Sequence, residues 1–316
     1  MYGDFFVLFT MIFTGYFLRK INVINDEMNS GLNKFILYFA YPCLLVYNIG
    51  TMDMTGALVV QYLLALSISL VLYFIHAGYS YFFTKNRKYP KRVANVAELS
   101  ITAPNNGFMG FPIALIFFGD IGLFMMMGNN AAMNIFYFSY GLHAMRRNNA
   151  DREKMSLKTI GMIVFKVLIN PNIVALVLGF VICFTGLSLD NSVGVYLKTI
   201  GQVATPMAMI FIGSTLAGSK FFDMFKNRIV WGSAINKLVV IPLMTLALCY
   251  FLPVSPVMKA CFVLSAAMPA AATTSMLAEQ ENLNTEIASK ILFFTTVVSM
   301  GTIPVAIWVI EKAFGI

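Results

Sequence analysis

Ten long apolar runs, separated by short polar segments, account for most of the chain. A membrane-spanning helix needs about 20 consecutive apolar residues to cross the hydrocarbon core of a bilayer. Of the 316 residues, 59% are hydrophobic and 11% are charged, whereas a soluble domain carries roughly 25% charged residues. The pattern predicts an all-α polytopic protein of the lipid bilayer without a large soluble domain. The predicted spans are 4–18, 34–50, 56–83, 94–118, 121–142, 160–184, 193–217, 229–251, 257–279 and 286–311.

The basic residues predict which side of the membrane each loop faces. Sixteen of the 22 lysines and arginines lie in the loops after the first, third, fifth and seventh spans. Cytoplasmic loops carry the excess of basic residues, so both termini are expected outside. The same loops account for the net charge of +8, and no nucleic-acid partner is needed to explain it. The segments expected outside contain neither lysine nor arginine; they are 1–3, 51–55, 119–120, 185–192 and 252–256.

The two halves of the chain match at a nearly constant offset. Gly15 and Gly179 are 164 positions apart, and Pro104 and Pro269 are 165 apart. Around these prolines, the stretch "LSITAPNNGFMG" aligns with "LSAAMPAAATTS". The matches follow one order with a one-residue slip, which indicates an internal repeat.

Each half contains five predicted spans, and an odd number means that the second half enters the membrane from the opposite side. We therefore expect ten transmembrane helices arranged as two inverted five-helix repeats, 1–142 and 159–316, joined by a cytoplasmic linker, 143–158. Inverted repeats are characteristic of secondary transporters, whose substrate site lies near the bilayer midplane between broken helices in corresponding positions. Here the corresponding broken helices are spans 4 and 9.

A proline interrupts each of these two spans. Pro104 and Pro269 lack an N–H and clash with the preceding turn, so each span should consist of two half-helices joined by unwound backbone. Such backbone is tolerated at membrane depth only where it is buried in protein or lines a wet cavity. The start of each second half-helix carries partial positive charge and suits an anion.

Small and neutral polar residues follow both prolines, and their amides and hydroxyls are suitable donors to a carboxylate. The combination predicts a substrate site for a carboxylate between the two broken helices. The alternative is that these residues only kink two structural helices. The predicted substrate-binding residues are Pro104, Asn105, Asn106, Gly107, Pro269, Ala270, Thr273, Thr274 and Ser275. Asn130 and Asn134 of span 5 are further candidates that either line the cavity or link helices.

Two charged residues also lie within predicted spans. Glu98 precedes Pro104 by six residues, about 9 Å along a helix, and an intramembrane carboxylate is by default a candidate functional group. We predict that Glu98 binds a coupling proton or cation or pairs with a lysine, with snorkelling to the interface as the alternative. Lys237 in span 8 is expected to pair with a carboxylate or to snorkel.

The stretches "PNNGFMGFP", "FFGDIG" and "MPAAATTSMLAEQENLNTEIAS" resemble the auxin efflux carrier family, which comprises the PIN-like transporters and their bacterial relatives. The resemblance covers essentially the whole chain. It implies the fold of the bile-acid/sodium symporter group, in which a scaffold domain and a transport domain, each built from both repeats, move relative to each other. Substrate would then be carried by alternating access.

By this resemblance, the residues from Pro104 to Gly107 match the family's first crossover motif, and those from Met268 to Ala270 match the second. The chain departs from the plant motif, because two asparagines follow the first proline and Ala270 replaces a glycine. It also lacks a long central cytoplasmic loop. The resemblance therefore implies a small organic anion, a mono- or dicarboxylate, rather than auxin, carried across a bacterial plasma (inner) membrane.

Other function classes lack their motifs in this sequence. There is no GxSG or GxGD element for an intramembrane hydrolase, no HExxH zinc motif and no Walker A stretch. We therefore expect a carrier without catalytic residues, cofactor or metal. A membrane receptor that binds the same ligand without translocating it is the alternative. The substrate, the direction of transport, proton or sodium coupling and a homodimeric state are left open.

Overall fold

A computed structural model describes residues 2–53, 55–86, 89–147, 161, 165, 169–217 and 227–316, which are helical apart from short connections and one isolated backbone bridge. The helices of this part of the chain are numbered in order: α1 (Tyr2–Lys20), α2 (Asp26–Gly50), α3 (Gly56–Asn86), α4 (Lys91–Thr102), α5 (Asn106–Arg146), α6 (Pro171–Thr185), α7 (Ser192–Ala217), α8 (Arg228–Tyr250), α9 (Pro256–Ala267), α10 (Ala272–Gln280) and α11 (Thr285–Phe314).

Local sequence signals mark many of the helix ends. The side chains of Asn25, Asn227 and Asn284 accept hydrogen bonds from the first turns of α2, α8 and α11, as N-cap residues do. Gly186 and Gly315 end α6 and α11 in the left-handed region, with φ of 67° and 69°. These caps depend on local sequence and need no tertiary contact.

Six of these helices, α2, α3, α5, α7, α8 and α11, are long and apolar enough to cross a membrane. Helices α6 and α9 are apolar but shorter, with 15 and 12 residues. Helix α5 has a non-helical residue at Gly119 (φ 64°, ψ −161°), within the two-residue turn predicted between spans 4 and 5. Each predicted span overlaps at least one helix. The count of ten crossings and the inverted repeat stay predictions.

The chain separates into two compact units. The first comprises the described residues within Met1–Tyr62, Gly107–Pro112 and Gly161–Ser219. It contains α1, α2, α6 and α7, together with the beginning of α5. In it, Tyr41 of α2 contacts Phe111 edge to face, with ring centroids 5.7 Å apart.

Glycines bring the helices of this first unit close together. A Cβ placed at Gly15 of α1 would lie 2.0 Å from the carbonyl oxygen of Ile210 in α7. Gly179 of α6 meets α2 in a similar way, because its Cβ would lie 2.8 Å from the Cβ of Ile49. Small residues permit such close approach between membrane helices. The two glycines are those that the internal repeat pairs with each other.

The second unit comprises the described residues within Leu63–Asn106, Ile113–Ile160 and Lys220–Ile316. It contains α4, α8, α9, α10 and α11, most of α3 and the larger part of α5. Its apolar core draws side chains from α3, α4, α5, α8, α10 and α11, including the fully buried Phe136 and Phe294. The polar and charged groups that follow belong to this unit.

The predicted linker, 143–158, lies mostly outside the described residues, which include only its first five positions. The repeat boundaries therefore stay predictions. Lys88 and Arg152, in the basic loops predicted to be cytoplasmic, also lie outside the described residues.

Candidate functional site

The two proline-containing segments meet in the second unit. Helix α4 ends at Thr102 and helix α9 ends at Ala267, and the residue after each end has extended backbone. Pro104 lies opposite Ala270 in an isolated antiparallel bridge. The helices thus stop where the sequence analysis expected them to stop, since proline cannot supply the N–H that the preceding turn requires.

Backbone hydrogen bonds join the two segments on either side of this bridge. The N–H of Asn105 donates to the carbonyl of Pro269 at 2.9 Å, and the N–H of Ala271 donates to the carbonyl of Ala103 at 3.0 Å. Buried backbone groups need partners, and here each segment satisfies groups that the other leaves without helical bonds. The backbone groups of these two segments are therefore structural partners of each other.

The first turn of α10 lies directly after this crossing and has no side-chain cap. Thr274 is 1% exposed. Its hydroxyl and the buried hydroxyl of Ser275 have no hydrogen-bond partner among the described residues. Thr273, one position earlier, is exposed. The start of α10 thus presents free backbone N–H groups beside unpaired hydroxyls.

Tyr137 of α5 faces the same turn. Its hydroxyl interacts with the hydroxyls of Thr273 and Thr274, but no well-aligned hydrogen bond forms, and the buried Tyr137 oxygen has no partner in the described part of the chain. A buried polar group without a partner costs roughly 1–3 kcal/mol. The unpartnered hydroxyls of Tyr137, Thr274 and Ser275 form what we call the α10 hydroxyl cluster. Such a cluster is chemically suited to a ligand that accepts hydrogen bonds.

Asn106 is fully buried in a different network. Its Nδ2 donates to Asn129 Oδ1 at 2.9 Å and to the Tyr73 hydroxyl at 3.2 Å, while its Oδ1 accepts from Ser265 Oγ at 3.0 Å. Ser265 Oγ also lies 2.9 Å from Asn129 Oδ1, so its single hydroxyl hydrogen is shared between the two amide oxygens. Both amide hydrogens and the amide oxygen of Asn106 thus have protein partners, and the network ties α3, α5 and α9 together. That Asn106 also binds substrate stays a prediction.

The other predicted site residues fall in several environments. Asn105 is 8% exposed and Asn130 is 7% exposed, so both are largely buried. Asn134 is half-buried, and neither it nor Asn130 bonds to Asn106 among the described residues. Gly107 has open space around it, since no atom lies within 4 Å of a Cβ built there.

Glu98 of α4 is buried and ion-paired, so the alternative of snorkelling is wrong. It is 1% exposed. Its two oxygens accept hydrogen bonds from Arg147 at 3.0 and 3.1 Å, and Oε1 also accepts from the Tyr140 hydroxyl at 2.7 Å. Burial lowers the pKa of Arg147, but the hydrogen bonds and charge of Glu98 raise it, and the pKa lies above its ordinary value.

Sequence reasoning missed this partner because Arg147 was counted only as a basic loop residue. The adjacent Arg146 pairs with Glu281 just after α10, and both hydrogen bonds of that pair are 2.7 Å. The two consecutive arginines after span 5 were the sequence feature that could have indicated such ion pairs. Two consecutive arginines thus bind carboxylates from two different helical segments of the second unit.

The environment of Lys237 in α8 also differs from the predicted one. It is 0% exposed, which excludes snorkelling, and none of the ion pairs among the described residues includes it. Its ammonium instead donates to the backbone carbonyl of Ala266 at 3.3 Å.

Within the described ranges, no three histidine, cysteine or acidic side chains gather as metal ligands would.

The chain is similar to known proteins along nearly its whole length. A family model described as "Membrane transport protein" matches residues 1–307. An uncharacterized transporter of Methanothermobacter thermautotrophicus is 22% identical, and the match covers 93% of both chains. A Rhizobium meliloti protein named "putative malonate transporter" is 25% identical over 96% of this chain and 94% of its own length.

The apolar helices and these matches both indicate a membrane protein. The described part of the chain contains six helices able to cross a membrane, and the family model extends over all of them except the end of the last helix. The chain therefore belongs to this family of membrane transport proteins, the auxin efflux carrier family that its motifs resemble.

Proposed function

We propose that the protein is a secondary carrier of a small organic anion whose carboxylate binds at the start of α10. The observation that carries the proposal is the α10 hydroxyl cluster beside an uncapped helix N-terminus. Hydroxyls and free N–H groups at a helix start are the donors that a carboxylate accepts from. A bound carboxylate would supply the hydrogen-bond acceptors that Tyr137, Thr274 and Ser275 lack.

The relatives support the class of ligand. The name of one relative is "putative malonate transporter", and malonate is a small dicarboxylate. We therefore propose mono- and dicarboxylates as substrates, with malonate as the first to be tested. Asn105, whose backbone crosses to Pro269, and the buried Asn130 are proposed to complete the polar lining.

The proposed architecture is that of two inverted five-helix repeats, 1–142 and 159–316. In it, α4 with the start of α5, and α9 with α10, are the crossover helices of spans 4 and 9. The matched positions of Pro104 and Pro269 support this proposal. The proposed mechanism is alternating access, in which a transport domain moves against a scaffold domain. The basic loops support both termini outside a bacterial plasma membrane.

Glu98 is the proposed coupling group. An anion entering a cell whose interior is negative is opposed by the membrane potential, at about 2.3 kcal/mol per charge per 100 mV. Uptake therefore needs a co-transported cation, and a proton on a buried carboxylate would supply one. Glu98 lies on α4, four residues before its end at Thr102.

Counterflow in proteoliposomes tests the carrier directly. Vesicles loaded with unlabelled malonate should accumulate labelled malonate only if the protein translocates it. Replacing Thr274 by valine should lower accumulation, whereas replacing Thr296 by valine should not, because the Thr296 hydroxyl already bonds to the Leu292 carbonyl at 2.7 Å.

Two outcomes would contradict the proposal in different ways. Binding of carboxylates without counterflow would favour a receptor. Absence of any stabilising carboxylate in a thermal-shift screen would reject the ligand class, since a ligand of the native state raises the melting temperature.

A further inference from the structure

Lys237 is a buried lysine without an anionic partner in the described part of the chain. It lies within α8, and its side chain is 0% exposed. Moving an isolated ammonium out of water is very costly unless polar groups replace its hydration. The ion pairs found among the described residues use other cations; they are Arg19–Asp26, Arg146–Glu281, Arg147–Glu98 and Lys290–Glu286.

The group that Lys237 binds is a carbonyl released by the break in α9. In an unbroken helix, the carbonyl of Ala266 would accept from the N–H of Ala270. That N–H instead donates to the side chain of Thr295 at 3.1 Å. The Ala266 carbonyl is therefore available to the Lys237 ammonium, 3.3 Å away.

A second carbonyl loses its helical partner at the same place. The carbonyl of Ala267 would accept from Ala271, whose N–H donates across the crossing to Ala103 at 3.0 Å. The carbonyls at the end of a helix also carry the negative end of its macrodipole. The end of α9 is thus an electronegative position inside the second unit, built from backbone oxygens.

The backbone of α8 widens where Lys237 lies. Residues Asn236–Val240 form a π-helical turn, and such turns are frequent at functional sites. Asn236, next to Lys237, accepts a hydrogen bond from the Tyr79 hydroxyl of α3. His76, also of α3, is the titratable group that interacts electrostatically with Lys237, and its ring bonds to Thr245 at 2.9 Å.

In secondary transporters with broken helices, unwound carbonyls and half-helix C-terminal ends coordinate the coupling sodium or proton. We infer that the Lys237 ammonium occupies such a cation position at the end of α9, as a resident cation attached to the protein. The inference rests on the proposed carrier function. The Lys237 ammonium takes the place that a coupling sodium ion would occupy, so anion transport does not depend on sodium.

The first test uses the unaltered protein. Malonate counterflow and the thermal stability of the detergent-solubilised protein are compared in sodium chloride, lithium chloride and choline chloride at equal ionic strength and pH. We expect equal counterflow and equal melting temperatures in the three salts. Sodium-stimulated counterflow, or stabilisation of the unaltered protein by sodium, would overturn the inference.

The second test removes the resident cation in two ways. Lys237→Ala removes the charge and leaves space, so sodium should enter and raise the melting temperature as its concentration rises. Lys237→Met removes the charge but fills the space, so sodium should have no effect, and counterflow should fall by at least about tenfold, the change that 1.4 kcal/mol produces. Lys290→Ala, which removes a lysine paired with Glu286, is the control and should show no sodium effect.

The outcomes separate this inference from the carrier proposal. Sodium stabilisation of Lys237→Ala is measured without any anion, so it supports the cation position even if malonate is not a substrate. Absence of that stabilisation, or full counterflow by Lys237→Met, would overturn the inference while leaving the carrier proposal intact. If neither Lys237 variant folds, the salt comparison on the unaltered protein decides.

Discussion

Pro104 and Ala270 lie opposite each other in an antiparallel backbone bridge, although they belong to different halves of the chain. Hydrogen bonds from Asn105 to Pro269 and from Ala271 to Ala103 flank the bridge. The two helix breaks therefore satisfy part of each other's backbone, which lowers the cost of burying the unwound segments. The same crossing leaves the start of α10 and the end of α9 with groups available for other partners.

Thr274→Val should weaken carboxylate binding by about 1–3 kcal/mol, the usual effect of removing one hydrogen-bonding group. Because the Thr274 hydroxyl has no partner in the described part of the chain, the ligand-free protein should lose no stability. Isothermal titration of malonate and thermal unfolding of the same sample give the two values. A drop in ligand-free stability with unchanged affinity would show that the hydroxyl is structural.

Asn106→Ala should lower the free energy of unfolding by about 1–3 kcal/mol, because it leaves Ser265, Asn129 and Tyr73 without a shared partner. We also predict weaker malonate binding for Asn106→Ala and for Asn105→Ala, by a similar amount. Thermal unfolding and titration are measured on each variant. If neither variant changes affinity, the amides serve only the helix break.

Glu98→Gln should abolish uptake driven by a pH gradient and spare malonate exchange, because exchange needs no net proton movement. Uptake and counterflow are measured in the same proteoliposomes. Normal uptake under a pH gradient would mean that Glu98 is structural and that potential-driven export is the better interpretation.

The Glu98–Arg147 ion pair should also contribute to stability. Glu98 is buried but Arg147 is partly exposed, so Glu98→Gln and Arg147→Gln should each destabilise the protein by about 1–3 kcal/mol, the cost of leaving a hydrogen-bonding group without its partner. In the double variant the losses should not add, with an interaction energy of about 0.5–3 kcal/mol. Simple additivity in thermal or denaturant unfolding would show that the pair is not coupled.

Gly15→Ala should destabilise the first unit by about 1–3 kcal/mol through overpacking, since the new Cβ would lie 2.0 Å from the Ile210 carbonyl. The matched control is Gly31→Ala in α2, where nothing lies within 4 Å of the new atom. That change should instead stabilise the helix by about 0.5–1 kcal/mol. Equal effects of both changes on thermal unfolding would reject the close contact of α1 with α7.

Cysteines introduced at Lys88 and Arg152 should react only with reagents that reach the cytoplasm, because both lie in the basic loops. The background protein should lack the four native cysteines. Labelling of either position from outside intact cells would contradict the predicted topology.

The apolar helices and the two helix stops near Pro104 and Pro269 can be predicted from the sequence because each depends on local chemistry. Hydropathy over about 20 residues indicates a membrane helix. A proline followed by small polar residues favours a helix stop, although Pro206 and Pro304 lie inside α7 and α11. For that reason the stops near Pro104 and Pro269, and the turn near Gly119, lie where the sequence predicts.

The partners of the buried polar groups were decided by the tertiary structure alone. Asn106 is predicted to bind substrate, and the packing of three helices supplies the protein partners of its amide. Arg147 looked like a loop cation, yet it binds Glu98. Lys237 was expected to find a carboxylate or the interface and instead binds a carbonyl. Such pairings depend on how distant segments pack, and hydropathy and spacing carry no information about which side chains that packing brings within 3 Å of each other.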